Sequence, residues 1–491
     1  MIEHKRFSIL LGLLWTLSAS TVFAALAPSQ ASMPGTPVSL RAETINLTLA
    51  DAVYLGLRSN RSIRSAYLER VAQKFDLRVA EDLFTPKLVL RGDYRGERSE
   101  SDGSRYRQLS PTTTLLGEFG TRLSLSWANQ LTDSNNDGRT RSDGATFTLI
   151  QPLLRGAGVE ITTAPMRSAR LSELTNRLAL KAAVAQTVTQ IITSYRDVLR
   201  AQEQLRIATE ALSRSQQLLD VNRAMITAGR MAEFEIVQTE ADYATQELGV
   251  QEAQNQLDAY RLELLQLLAL GLESRIQAVE TLDATPVQLS RMQALDTALE
   301  QQPAYLGQLI AHEQASINLA VARNNQLWDV SLVGGASQVS DRYPDREGQR
   351  SDRRWEGYAG LQVEIPIGDL NRRQEVVRAQ VNLENQGIEA VEARQTLERD
   401  VTNAVRTVGT RWRQYEISLR ARDLSRRKLD IERQKLQVGR SSNFQVISYE
   451  TDFRNAQNTS LDALIAYLNA RTLLDQALGT TLSSWDIALN D

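Results

Sequence analysis

A seven-residue rhythm runs through the middle of the chain. Val184, Ile191, Val198, Leu205, Leu212, Leu219 and Ile226 recur at a strict spacing of seven. Val188 and Tyr195 fill the intermediate four-residue step early on, and Gln202, Thr209, Gln216 and Arg223 occupy it later. A second run, Val401, Val405, Val408, Trp412, Tyr415 and Leu419, alternates steps of four and three. Sustained heptads predict coiled-coil packing. A helix of about 70 residues at 1.5 Å per residue spans ~105 Å, so no globular core houses it. Such a rod packs against similar rods, and the polar half of the seam suits a solvated assembly.

Elsewhere the period drops to two. Leu88, Leu90, Gly92 and Tyr94 alternate with Lys87, Arg91, Asp93 and Arg95. Leu123, Leu125 and Trp127 alternate with Arg122, Ser124 and Ser126, and Phe147 and Leu149 with Thr146 and Thr148. Later, Val330, Leu332 and Ala336 alternate with Ser331 and Ser337, and Ala359, Leu361, Val363 and Ile365 with Gly360, Gln362 and Glu364. One apolar and one polar face suit a barrel wall with lipid outside and water inside; a half-buried soluble sheet has the same period. Pro152 and Pro366 stand where strand gives way to long helix, and Pro86 where the first helix gives way to strand, each a residue that breaks a ladder. In the second half, the place of Pro86 holds Leu327-Trp328-Asp329. Segment 98–145 is longer than its counterpart 338–358. The strand-like piece Thr121 to Gln130 either extends an existing strand or forms an extra hairpin.

These features occur twice. Gly229-Arg230-Met231-Ala232-Glu233-Phe234-Glu235-Ile236 and Gly439-Arg440-Ser441-Ser442-Asn443-Phe444-Gln445-Val446 match at Gly, Arg, Phe and the aliphatic residue, and Glu240 and Glu450 extend the match. Gly158 precedes Gly229 by the same distance as Gly368 precedes Gly439. Leu270-Gly271 is answered by Leu478-Gly479, and Leu57 to Tyr67 resembles Leu299 to Leu309. So long a period means duplication of a whole subdomain rather than a solenoid. The expected division is a signal peptide (1–24), an N-terminal extension (25–44), a first repeat (45–284), a second repeat (285–482) and a tail (483–491).

Composition narrows the chemistry. Of 491 residues, 56 are Lys or Arg and 59 Asp or Glu, a net charge of -3 with no global pull toward nucleic acid or anionic lipid. Cysteine is absent, which excludes disulfides, thiolate metal sites, a thiol nucleophile and a lipid-modified N-terminal Cys. The two histidines are His4 and His312, leaving little material for a zinc or Ser-His centre. We expect no enzyme, no cofactor, no catalytic residue and no metal site. Asp133-Ser134-Asn135-Asn136-Asp137-Gly138 begins like a calcium loop, but Gly144 stands where the closing acid is required, so it reads as a polar turn. Gly156-Ala157-Gly158 lacks the Lys-Ser/Thr end of a phosphate loop and reads as a strand-to-helix hinge. His4, Lys5 and Arg6, then apolar Phe7 to Leu17 and Val22-Phe23-Ala24, read as a secretory signal cleaved after Ala24, with a second possible site after Ala31. No later run is long and apolar enough to cross a membrane as a helix, so a crossing must use strands.

From about Ile45 to Leu482 the chain resembles the TolC-like outer-membrane efflux family. The resemblance rests on the duplication, Gln151-Pro152-Leu153-Leu154, Ile365-Pro366-Ile367-Gly368, the two Gly-Arg-x-x-x-Phe turns, and Leu295 to Pro303 as a repeated opening helix. It implies an α+β membrane protein, a long coiled-coil α-helical barrel plus a transmembrane β-barrel formed by a trimer, with a tandem internal repeat. Each subunit would give four strands to a shared twelve-stranded barrel. The implied setting is the cell outer membrane, with a long periplasmic extension. The implied partners are a homotrimer, a periplasmic adaptor (membrane fusion) protein, an inner-membrane pump or ABC transporter and outer-membrane lipid, with no nucleic acid. The implied function is the exit duct of a tripartite efflux pump or type I secretion system.

Gly229, Arg230, Phe234, Gly439, Arg440 and Phe444 would form helix turns that dock the adaptor, or simply cap two helical hairpins. The family often carries acidic rings near these tips; here the equivalent positions are Glu235 and Gln445, a possible periplasmic gate with one carboxylate lost. Arg342, Arg346, Arg350, Arg353 and Arg354, interleaved with Asp341, Asp345, Glu347 and Asp352, suit an extracellular loop able to meet lipopolysaccharide phosphates. The alternative is a periplasmic adaptor or a structural coiled-coil protein, although an adaptor carries a small β domain split around one hairpin where this chain duplicates the whole strand-plus-helix unit, and a coiled-coil protein does not need paired strands and matched Pro corners.

Overall fold

The computed structural model describes residues 44–100, 103–136, 138–287, 289–345 and 348–489. The signal peptide, nearly all of the extension, Asp137, Arg346 and Glu347 lie outside the described residues.

The first repeat opens with β1 (Ile45–Leu47), α1 (Leu49–Ser59) and α2 (Arg61–Glu81). Four strands follow, β2 (Lys87–Arg98), β3 (Gly103–Leu116), β4 (Arg122–Ser134) and β5 (Gly138–Pro152). Next come the short α3 (Val159–Thr162), the long α4 (Ala164–Thr227), α5 (Ile236–Leu267) and β6 (Ile276–Ala278). The second repeat runs α6 (Arg291–Gln301), α7 (Pro303–Asn325), β7 (Asp329–Asp345), β8 (Gly348–Glu364), α8 (Leu370–Gln437), α9 (Asn443–Leu478) and α10 (Thr481–Ser484).

The matched opening segments break at matched points. Asn60 ends α1 and caps α2, its side chain accepting from the Ser62 and Ile63 amides. Gln302 ends α6 and caps α7, accepting from the Tyr305 amide. A side-chain oxygen at the cap satisfies amides that a helix start leaves without partners. The helices α4 and α8 are 64 and 68 residues long, as the heptads predict.

The heptad residues at the upper part of α4 form the main core. Val184, Val188, Ile191, Tyr195 and Val198 are fully buried against Ala52 and Val53 of α1 and Leu264, Leu265 and Leu268 of the α5 end. The parallel ladder of β1 with β6, Ile45 facing Ile276, closes this core. Tyr195 donates its hydroxyl to the Leu47 carbonyl at 2.7 Å, which ties the helix to the small sheet. In the second repeat Val401 and Val408 of α8 pack with Tyr467, Leu474 and Leu478 of α9.

The six long strands make one antiparallel sheet in the order β2-β3-β4-β5-β7-β8. The resemblance implied four strands per subunit; among the described residues this sheet has six. The extra strands are β3 and β4, so the piece around Thr121 to Gln130 belongs to a hairpin of its own. The sequence pattern marks no strand over residues 103–116. The β3–β4 ladder lapses at Ser110 and Pro111 between the pairs Leu109–Asn129 and Thr112–Ser126. Proline has no N–H to give there. The β2 side remains paired, Leu90 with Pro111.

Candidate functional site

The residues that the sequence singles out fall in two regions: the sheet and the two hairpin tips. In an antiparallel sheet directly paired residues share a face. One row runs Leu123, Leu149, Gly334, Ala359; the next runs Leu125, Phe147, Ala336, Gly357; the third runs Trp127, Ala145, Gln338, Trp355. Leu88, Leu90 and Tyr94 of β2 and Leu109 of β3 lie on this same face. The face is solvated in the single chain, Trp355 to 82% and Leu90 to 69%. The other face runs Ser124, Thr148, Gly335, Tyr358 and then Ser126, Thr146, Ser337, Glu356. Val89, Ile150, Val333 and Val339 interrupt its polarity. Farther from the helices the apolar face ends, at Asn129, Asp143, Ser340 and Arg353. From Val363 to Trp355 the apolar face covers about 27 Å of β8, or about 20 Å of height at a usual barrel tilt.

At the helix end of the sheet the chain turns through glycines. Gly158, with φ of 93°, caps α3, and Gly368, with φ of 74°, precedes Asp369, whose side chain caps α8. Pro152 closes β5 opposite Ser331, after which the Leu153 amide donates to the Val330 carbonyl at 2.7 Å. Pro366 follows the end of β8, and Pro86 precedes β2. Phe119, Leu153, Trp328, Ile365 and Ile367 stand exposed around this edge.

The tips are two copies of one turn. The Gly229 amide donates to the Ile226 carbonyl and the Arg230 amide to Met225; the Gly439 amide donates to Leu436 and the Arg440 amide to Lys435. This is the paired helix ending in which a left-handed residue satisfies the last carbonyls. Gly229 and Gly439 have φ of 68° and 73°. Arg230 and Arg440 are exposed, and Phe234 and Phe444 are exposed to 77% and 65%. Glu235 and Gln445 are half-buried at the starts of α5 and α9.

The duplication also includes an ion pair. Arg223 meets Glu240 at 3.4 Å and, at the equivalent positions, Arg433 meets Glu450 at 2.9 Å. Glu450 further accepts from Arg214 of α4, so it joins the two hairpins. Nearby, Ser215 donates to Asp242 at 2.6 Å, and Arg454 to Gln246 at 2.7 Å. The seam is apolar midway along α4, and toward the tips these polar pairs stand beside a smaller apolar cluster of Leu429, Leu436, Val446 and Phe453. Ser134 and Gly138 form the last β4–β5 pair, at the end remote from the helices. Arg354 of the basic cluster pairs with Asp341 at 2.9 Å. Among the described residues no group of acidic, His or Cys side chains is placed to hold a metal, and no helix is long and apolar enough to cross a membrane.

No family model matches the sequence, and no curated protein matches it. Solved structures do. The outer membrane channel CmeC of Campylobacter jejuni superposes with a TM-score of 0.66 at 15% identity, over 88% of this chain and 86% of that one. The open state of the MtrE outer membrane channel of Neisseria gonorrhoeae gives 0.65 at 14% identity, over 88% and 89%. The outer membrane protein VceC of Vibrio cholerae gives 0.64 at 13% identity, over 88% and 96%. The chain therefore has the TolC-like fold of outer-membrane channels.

Proposed function

We propose that three copies of this chain form an outer-membrane exit duct. The observation that carries this reading is the six-stranded sheet with one continuous solvated apolar face of about 20 Å height, near the ~25 Å apolar band of membrane barrels, joined to helices too long for any globular core. An open sheet cannot remain in lipid, because its edge N–H and C=O groups would be unsatisfied. Closure with further copies supplies the missing pairs. The duct stands in the outer membrane with its helices in the periplasm, and it is a passage rather than an enzyme. It serves a tripartite efflux pump or a type I secretion system, passing small molecules or polypeptides from an inner-membrane pump or ABC transporter. A periplasmic adaptor seats on the tips at Gly229, Arg230, Phe234, Gly439, Arg440 and Phe444. Glu235 lines the narrow end and attracts cations, weakly because Gln445 brings no charge. The two repeats divide at 284/285.

The test is to extract the protein from outer membranes in detergent, determine its mass and record conductance in planar bilayers. A trimer with discrete channels supports the duct. A soluble periplasmic monomer without channels overturns it. For the gate, unchanged cation preference in Glu235→Gln removes that role.

A further inference from the structure

We propose that the hairpin β3–β4 is a full part of the barrel wall, so that three chains joined through the edges β2 and β8 close an eighteen-stranded barrel. The inference rests on the exit-duct reading above.

The ladder runs through all six strands and lapses only at Ser110 and Pro111 between β3 and β4. β2 pairs with β3 from Lys87–Thr114 to Arg98–Gly103, and β4 pairs with β5 from Arg122–Ile150 to Ser134–Gly138. The alternation of faces is clear on β4 and weaker on β3, where Pro111 and Thr113 also stand on the apolar face. Leu109, Leu123, Leu125 and Trp127 lie on the apolar face; Gln108, Thr112, Ser124, Ser126 and Gln130 lie on the polar one. A plug in the lumen or an extracellular flap has no use for an outward apolar row, whereas a wall strand requires one.

The hairpin also reaches the helix end of the wall. Its turn, closed by the Gly117 amide on the Thr121 carbonyl at 2.7 Å, sits against the strand-to-helix corner, where the Gly158 amide donates to the Phe119 carbonyl at 3.3 Å. Gly120 has φ of 89°, and a Cβ there would lie 2.3 Å from the Gly156 carbonyl oxygen. The turn is fitted to that corner.

The edges fit a ring. Successive strands run in opposite directions, and six is an even number, so β8 of one copy meets β2 of the next antiparallel. At about 4.8 Å between strands and a tilt of about 40°, eighteen strands give a circumference of about 113 Å and a diameter of about 36 Å; twelve give about 24 Å. Next to the sheet each chain supplies four helices in cross-section, α2, α4, α7 and α8. Twelve helices about 9 Å apart need about 108 Å. The wider barrel thus matches the girth of the helical tube, and the outer exit imposes no narrower limit on cargo than the tube does.

The cysteine-free chain allows a direct test. Single cysteines are placed at Leu123, Ser124, Leu125, Ser126 and Trp127 in full-length protein, and trimers in proteoliposomes are treated with a charged maleimide. Ser124→Cys and Ser126→Cys should react, while Leu123→Cys, Leu125→Cys and Trp127→Cys should be at least tenfold slower. Equal labelling of all five in trimers overturns the wall assignment. In parallel, Tyr94→Cys is combined with single cysteines along β8. Oxidation should give a disulfide-linked trimer on a denaturing gel at one register, and no linkage at any register overturns the β2–β8 seam. A soluble monomer without channels would sink the duct reading itself, and the proposal with it.

Discussion

Replacing Gly439 separates the backbone's need at the tip from a partner's need. The residue has φ of 73°, and a Cβ built on it meets no atom within 4 Å. Gly439→Ala therefore introduces no clash, and its whole cost is that of holding an L-residue in the left-handed region, about 1–2 kcal/mol. The turn amides of Gly439 and Arg440 bond to the Leu436 and Lys435 carbonyls, so the cost appears as more frequent opening of this turn. At 1.4 kcal/mol per factor of ten, hydrogen exchange at the tip should accelerate roughly 5- to 30-fold. Asparagine tolerates this conformation better than alanine, so Gly439→Asn should lie between wild type and alanine. Exchange in α8 above Tyr415 should be unchanged in all variants. The reasoning fails if alanine exchanges like wild type, or if asparagine exchanges faster than alanine. Export adds the second half of the test. A variant with wild-type exchange at the tip but lost export assigns the residue to docking. Gly439→Asp should abolish export while leaving trimers in the membrane, and unchanged export removes the docking role.

Other consequences can be measured on the same protein. Arg70 is buried and makes two bonds to Glu173, at 2.8 and 2.6 Å; Glu173→Gln should destabilise the α2–α4 contact by about 3 kcal/mol, and Arg70→Met with Glu173→Leu should recover most of it in thermal unfolding. Recovery of nothing would show that the pair is not the source of the loss. Tyr195→Phe should cost about 1 kcal/mol, since the Leu47 carbonyl keeps its second donor, the Val279 amide at 3.2 Å; a neutral substitution in denaturant unfolding refutes this. Burial raises the Asp475 carboxyl above its ordinary 3.8 against the pull of Arg471 and Arg196. Its ionised form is disfavoured in the folded state, so the penalty grows as pH rises through the folded pKa and vanishes well below 3.8. Asp475→Asn should accordingly raise Tm near neutral pH and give no gain in strong acid. The Arg196 guanidinium, which bonds the Leu468 carbonyl at 2.8 Å, is pushed down to about 10 by burial; Arg196→Ala should loosen α4 from α9, read as faster exchange in both helices.

Much of the architecture is local in the chain. A period of seven and a period of two are written in consecutive residues, so α4, α8 and the strands β2, β4, β5, β7 and β8 are legible without any partner. The paired Gly-Arg-x-x-x-Phe motifs likewise mark both helix reversals, because a left-handed residue at a helix end is a local requirement. What only the tertiary structure decided depends on partners distant in sequence. β3 carries Pro111 among Ser and Thr and has no clear pattern of its own; it becomes a strand because β2 and β4 pair with it on either side. The same pairing turned an ambiguous segment into a hairpin and four expected strands into six. Glu450 reads as an ordinary helix-surface charge until α4 brings Arg214 against it from 236 residues away, and Arg70 finds Glu173 across 103. Side-chain periodicity specifies which face of an element is buried; it contains no term for which element will cover it.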